Sequence, residues 1–258
     1  PQVYTPTLNN TGLAYVVPTE FVELPSRGQF YPQDHPYHMQ EAVEIKFMTA
    51  KDEDILTSRA LLQKGIAVER LLQNLIINKD INVSELLVGD KNAIMIAARI
   101  LGYGKEYEFE YDGIEQTTDL STVEPLEIDF SKITKGVNEF PFELPNSKRK
   151  LTFKLLSGHD ESKIELEIKA RQKISENQGG SLTTRLKTMI LSVDGNIEPS
   201  FVQNFIDNEF LSVDSLAFRK YIKTITPDVN MAAKAVDSNG KESEVMIPIT
   251  VRFFWPGT

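Results

Sequence analysis

The chain has 258 residues, 41% hydrophobic and 25% charged, an ordinary globular composition with enough apolar material for one large core or two smaller ones. Its formal net charge of -9 and pI near 5.0 argue against broad phosphate-backbone binding, which depends on Lys and Arg releasing counterions. The absence of cysteine excludes disulfides, thiolate nucleophiles and Cys-based zinc sites, and the 3 histidines, His35, His38 and His159, cannot build a tetrahedral site without carboxylates.

Residues 1–45 lack helical periodicity and hold Pro18, Pro25, Pro32 and Pro36, which predicts an extended arm packed on its own body or on a neighbour. The first stretch, "PQVYTPTLNN", has neither the basic nor the apolar region of a signal peptide, and no apolar run approaches the ~20 residues that span a bilayer. A protein made in a cytoplasm is expected. His35-x-x-His38 lies beside Pro36, so helical i,i+3 geometry is not expected and the pair reads as a polar loop.

A first α+β half is predicted over 46–120. The strand in "VEIKFMTAKDED" runs into a capping box, Thr49 with Asp52 three residues on, that opens a helix over 50–64 stopped by Gly65. Helices follow in "GIAVERLLQNLII" and in "NVSELLVGDKNAIMIAARILGYG", where Asp90 reads as the cap of the last helix. The half closes with the hairpin "EYEFEYDGIEQTTDL", turned at Asp112-Gly113. One face carries Tyr107, Phe109 and Tyr111, and the other Glu106, Glu108 and Glu110, so one face is built to be covered.

After a linker with strands over 121–150, including the short basic turn Lys148-Arg149-Lys150, the same order of features returns over 151–258. Phe21 to Ser26 is echoed by Pro141 to Asn146. "VEIKFMTAKDED" is echoed without a gap by "LTFKLLSGHDES", with Ser157 and Asp160 as the second capping box. A highly charged helix over 158–177, helices in "TTRLKTMILSV" and "EPSFVQNFIDNEFLSVDSLAFRKYIKTI" with Asp214 as a cap, and a hairpin in "KAVDSNGKESEVMIPITV" complete the half. Asn239-Gly240 predicts a type I′ turn with positive φ at both residues. The fold class is therefore α+β, as two pseudo-repeated halves, each strand, helices and β-hairpin.

No enzyme signature stands in the sequence: there is no G-x-S-x-G, P-loop, G-x-G-x-x-G or H-E-x-x-H, and pairs such as Glu53-Asp54 lie in a helix first turn. No catalytic residue, metal ligand or cofactor is assigned. The terminal Phe253-Phe254-Trp255-Pro256 is either core or interface, since aromatic residues serve both. With Tyr107, Phe109 and Tyr111 it forms the candidate protein interface.

"VPTEFVELPSRGQFYP", "MTAKDEDILTSRALLQKGIAVERLL", "LLVGDKNAIMIAARILGYG" and "FFWP" together resemble the baseplate hub proteins of T4-like contractile-tailed bacteriophages. Members of that family often carry C-x-x-C-G zinc knuckles in two closing hairpins. The resemblance places these at Phe109–Gly113 and Val236–Gly240, where Phe109, Asp112, Val236 and Asn239 stand instead of cysteine. The resemblance thus implies zinc-ribbon-like hairpins without metal ligands. It also implies a structural or assembly component of a tail baseplate hub, in the virion and in the host cytoplasm during assembly. Such a component would contact other baseplate and tail proteins in a multi-subunit complex, and the acidic charge and lack of a long apolar run separately predict neither nucleic-acid binding nor integral membrane insertion. A transient hub assembly chaperone and a hub-associated lytic enzyme are the alternatives.

Overall fold

The computed structural model describes residues 17–174, 181–247 and 251–254. Strand β1 (Thr19–Glu23) pairs antiparallel with β2 (Ala42–Lys46), Val22 opposite Val43. Alternation in β2 sends Val43 and Ile45 into the core and leaves Glu44 and Lys46 at the boundary. The helix expected over 50–64 is two helices, α1 (Ala50–Thr57) and α2 (Arg59–Lys64), separated by Ser58 in extended backbone. The Thr57 hydroxyl bonds back to the carbonyls of Glu53 and Asp54, a local alternative to helix continuation. Gly65, at φ 70, ends α2 in the left-handed conformation that glycine adopts without a Cβ penalty.

Helix α3 (Ala67–Leu75) buries Leu71, Leu72 and Leu75. Its last turn returns to the sheet, with Ile76 bridging Ile45 and the Ile77 N–H donating to the Glu44 carbonyl at 3.0 Å. A 3-10 turn at Val83–Glu85 leads to α4 (Val88–Tyr103), and then to the hairpin of β3 (Glu106–Tyr111) and β4 (Ile114–Asp119). Asp112 and Gly113 both have positive φ, 51 and 76, as the type I′ turn requires.

In the second part β5 (Phe140–Glu143) and β6 (Lys150–Phe153) flank the basic turn, and α5 (Gly158–Ile174) and α6 (Ser181–Met189) follow. Residues 175–177 of the expected second helix lie outside the described residues. "ILSV", expected as the end of a helix, is instead strand β7 (Ile190–Val193), paired with β6. A run this short and apolar fits either element until a partner strand claims it. Helix α7 (Pro199–Asn204) continues through a wider turn into α8 (Ser212–Ile225), and β8 (Ala232–Val236) and β9 (Glu242–Met246) form the last hairpin.

That last hairpin corrects the expected turn. Only Gly240 has positive φ, 79, and Asn239 does not. The Asp237 carboxylate gathers the N–H groups of Asn239 and Lys241, and the Gly240 N–H returns to the Asp237 carbonyl. The loop is a longer turn closed by a left-handed glycine, the next most common hairpin connection after type I′.

One apolar core runs through both parts, from Val22 and Ile45 to Phe153, Phe205 and Phe218. The parts join at two seams. Leu87 bridges Ser157, with Val88 N–H donating to the Leu156 carbonyl (3.2 Å) and Gly158 N–H to the Leu86 carbonyl (2.9 Å). Pro125 bridges Val229, flanked by Leu126 to Asp228 and Asn230 to Glu124.

Candidate protein interface

The two capping boxes close as expected, and each goes further than a cap. At α1 the Thr49 N–H and hydroxyl donate to the Asp52 carboxylate at 2.9 and 2.8 Å, Lys46 reaches both its oxygens at 3.1 Å, and the Asn74 amide adds a further donor. At α5 Ser157 N–H and hydroxyl donate to Asp160 at 3.1 and 3.0 Å, and Lys154 binds it at 2.7 and 2.9 Å. Burial alone would push both carboxyls up, but these donors outweigh it and hold them below the usual carboxylate range.

Asp90 and Asp214 are not caps of their own helices. Each lies inside the first turn, buried, and turns to the loop after an upstream strand. Asp90 accepts from the Ser26 N–H (2.9 Å), the Ser26 hydroxyl (2.6 Å) and the Tyr31 hydroxyl (2.5 Å), whose oxygen in turn accepts the Leu87 N–H at 3.0 Å. Asp214 accepts from the N–H and side-chain amide of Asn146 at 2.9 Å and from the Ser147 N–H at 3.0 Å. Burial pushes the Asp90 carboxyl up against its donors. For Asp214 burial pushes the same way, but the Asn146 and Ser147 donors prevail and lower its pKa to about 2.

The two hairpins stand side by side. Gln116, on β4, spans to β8 with both ends of its amide: its oxygen accepts the Val236 N–H at 3.1 Å and its nitrogen donates to the Val236 carbonyl at 3.2 Å. At the turns the Asp112 carboxylate accepts the N–H and hydroxyl of Ser238, at 2.9 and 2.5 Å. A side-chain clasp therefore joins the two hairpin tips. Among the described residues no group of three or more His, Asp or Glu is placed to hold a metal ion.

The aromatic face of β3 is covered from within. Tyr107 is buried against Phe253 (ring centroids 4.9 Å) and stacks with Phe109 (6.1 Å), while Phe109 and Tyr111 are half-buried. Phe253 and Phe254 are fully buried, so within this fold these two and Tyr107 pack in the core, one of the two roles left open for the terminal aromatics. Trp255 and Pro256 lie outside the described residues. The residue that fixes the chain end is one the sequence reading missed: Arg99, buried on α4, donates to the carbonyls of Phe253 (2.9 Å), Gly104 (2.9 Å) and Glu106 (3.1 Å). Within an apolar helix an isolated Arg is the available signal, because a buried guanidinium must find acceptors.

The histidine loop is structural. His35 stacks on Tyr31 (4.4 Å) and its Nδ1 accepts the Tyr37 N–H at 3.1 Å, while His38 Nδ1 lies 2.7 Å from the Tyr31 carbonyl. In the basic turn Arg149 is engaged rather than solvated. It lies over the Phe205 ring (5.2 Å) and pairs with Asp194 at 2.5 Å.

The exposed apolar surface lies elsewhere. Leu211, Val213 and Leu216 project from the start of α8, next to a shallow groove of about 190 Å³ lined by Leu182, Phe210 and Arg219. Adjacent exposed aliphatic groups of this kind suit protein contact. Compared with protein-family models, with characterised proteins and with solved structures, the chain matches none.

Proposed function

We propose that this chain is a structural or assembly component of a contractile phage tail baseplate hub, acting by contact with other baseplate and tail proteins. On this reading its two halves are pseudo-repeats, and its closing hairpins are zinc-ribbon-like tips whose metal is replaced by the Gln116 and Asp112 clasp. It works in the virion tail, or in the host cytoplasm during assembly.

The observation that carries the reading is where the family-like stretches fall. "VPTEFVELPSRGQFYP" supplies Ser26 and Tyr31, "LLVGDKNAIMIAARILGYG" supplies the Asp90 they hold, and "MTAKDED" supplies the Thr49 and Asp52 box. The second half repeats both contacts with different side chains, Asn146 with Asp214 and Ser157 with Asp160. The resemblance therefore follows the residues that hold the fold rather than scattered surface positions. Of the three acids at the α1 start, Asp52 is held by four partner groups and Glu53 by the Tyr103 hydroxyl at 2.8 Å, while Asp54 is exposed.

Mass spectrometry of purified particles, and of assembly intermediates from infected cells, tests the reading. The chain in mature particles supports a structural role, and its presence only in intermediates supports an assembly role. Absence from both overturns the proposal.

A further inference from the structure

The sheet of β1 and β2 has one open edge. The Leu24 N–H donates to the Glu41 carbonyl at 2.8 Å and the Phe47 N–H to the Pro18 carbonyl at 2.9 Å, with an unbroken register between them. In an antiparallel pair every second residue bonds to the partner strand, so Pro18, Glu20, Val22 and Leu24 face β2. Thr19, Phe21 and Glu23 therefore turn their N–H and carbonyl groups to the opposite edge, where no strand pairs with β1 among the described residues. Phe21 is 66% exposed beside it. Such an edge is a template for a further strand, and neither lysine nor proline stands within Thr19–Glu23 to blunt it.

The surroundings of that edge select the strand. A cleft of about 230 Å³ runs from Val22 and Glu23 over Ile96 and Ala97 of α4 to Val123 and Pro125, an apolar floor. At Glu23 and Pro125 it adjoins a wider groove of about 960 Å³, bordered by the exposed side chains of Glu23, Glu41, Glu124 and Glu127. Arg27 is the only cation of that lining, and it lies over the Phe130 ring at 4.9 Å.

We infer that β1 accepts an extended segment of another protein, added antiparallel as a third strand, in which lysine or arginine alternates with aliphatic residues. Directly opposed residues of antiparallel strands share a face. The aliphatic side chains of the segment, on the Val22 face, fill the cleft over α4. Its basic residues, on the other face, stand opposite Thr19, Phe21 and Glu23. One pairs with Glu23, one lays its stem on the Phe21 ring, and basic residues past the strand end meet Glu41, Glu124 and Glu127. Backbone bonds give such a complex its affinity, and the alternate side chains give it selectivity. This partner chemistry deepens the contact role proposed above, yet it rests on the β1 edge, and particle mass spectrometry reads the virion role separately.

Fluorescence anisotropy of the full chain with the labelled peptide Lys-Val-Lys-Val-Lys-Val-Lys tests it. The Kd should be roughly 100 μM or tighter at low salt and should weaken as salt rises. The counterpart with glutamate in place of lysine should bind at least about tenfold more weakly. Methylating the lysine backbone nitrogens, which face β1, should abolish binding, whereas methylating the valine nitrogens, which face away, should leave it within about threefold. Glu23→Lys, at an exposed position, should weaken the lysine peptide roughly fivefold and strengthen the glutamate one, with circular dichroism unchanged. No binding, equal loss with either methylated peptide, or an unaltered preference in Glu23→Lys each overturns the inference. A dimer in sedimentation velocity that Phe21→Lys dissolves and the peptide does not would assign the edge to a second copy, and overturns it as well.

Discussion

Three adjacent acids at the start of α1 have three different settings. Asp52 is buried under donors from Thr49, Lys46 and Asn74, Glu53 takes one hydroxyl, and Asp54 faces water. Asp52→Ala leaves Lys46 and Asn74 unpaired and should destabilise by roughly 2–3 kcal/mol, while Asp54→Ala should stay within about 0.5 kcal/mol, both read by urea denaturation. Equal effects would mean that the box is only a helix start. The same donors set a pH dependence. Asp214 and Asp119 have pKa values of about 2, Asp119 chiefly through Lys105, and Asp52 and Asp160 are also held down. Folded values below the unfolded value of about 3.9 give stability that is fully present above that value and lost as pH falls through the folded ones. The urea midpoint should therefore hold from about pH 7 to 5 and fall between about pH 4 and 2. Asp214→Asn should flatten that fall. Asp90, pushed up by burial, carries the opposite sign, its contribution lost as pH rises.

At the scale of elements, the two hairpins are turned and joined by local backbone and side-chain chemistry. Asp112 and Gly113 turn the chain by φ preference alone, and Asp237 with Gly240 does so by a carboxylate cap, while Gln116 and Asp112 join the two tips. Metal analysis of the purified protein should find no stoichiometric zinc, and a chelator should leave Tm unchanged. Gln116→Ala should speed amide exchange at Val236 and leave the Ala235 and Ser243 region of the β8–β9 hairpin protected. Unchanged exchange at Val236 would remove the clasp. These hairpins and the two capping boxes were legible because local chemistry at Asp112, Thr49 and Ser157 specifies them. What was not legible came from distant partners: β7 is a strand because β6 claims "ILSV", and Asp90 and Asp214 serve the loops at Ser26 and Asn146. The choice between core and interface for the aromatics at Tyr107, Phe253 and Phe254 was not legible for the same reason. Aromatic chemistry suits both, and it is Arg99 and the α4 end that hold Tyr107, Phe253 and Phe254 in the core. Removing residues 253–258 should thus lower stability by roughly 2–4 kcal/mol, as should Arg99→Met, and the two losses should not add, because each breaks the same contact.

For the molecule as a whole, one core and two bonded seams predict that the halves unfold together. The sharpest probe is Gly89, with exposed Val213 as its control. At Gly89 a methyl group would meet the Pro227 carbonyl, backbone that cannot swing aside as a side chain tip can. Gly89→Ala should therefore strain the seam between the halves and cost about 1–3 kcal/mol, the range of overpacked sites, despite alanine's better helix propensity. At Val213 the side chain is exposed and the position is helical, so Val213→Ala should leave stability within about 0.5 kcal/mol. Near- and far-ultraviolet circular dichroism during denaturation should give coincident transitions in wild type. In Gly89→Ala either the transitions remain coincident at a lower midpoint, and the seam is part of one cooperative unit, or they separate, and the halves fold as two. An unchanged midpoint would mean that the α4 start does not press on Pro227.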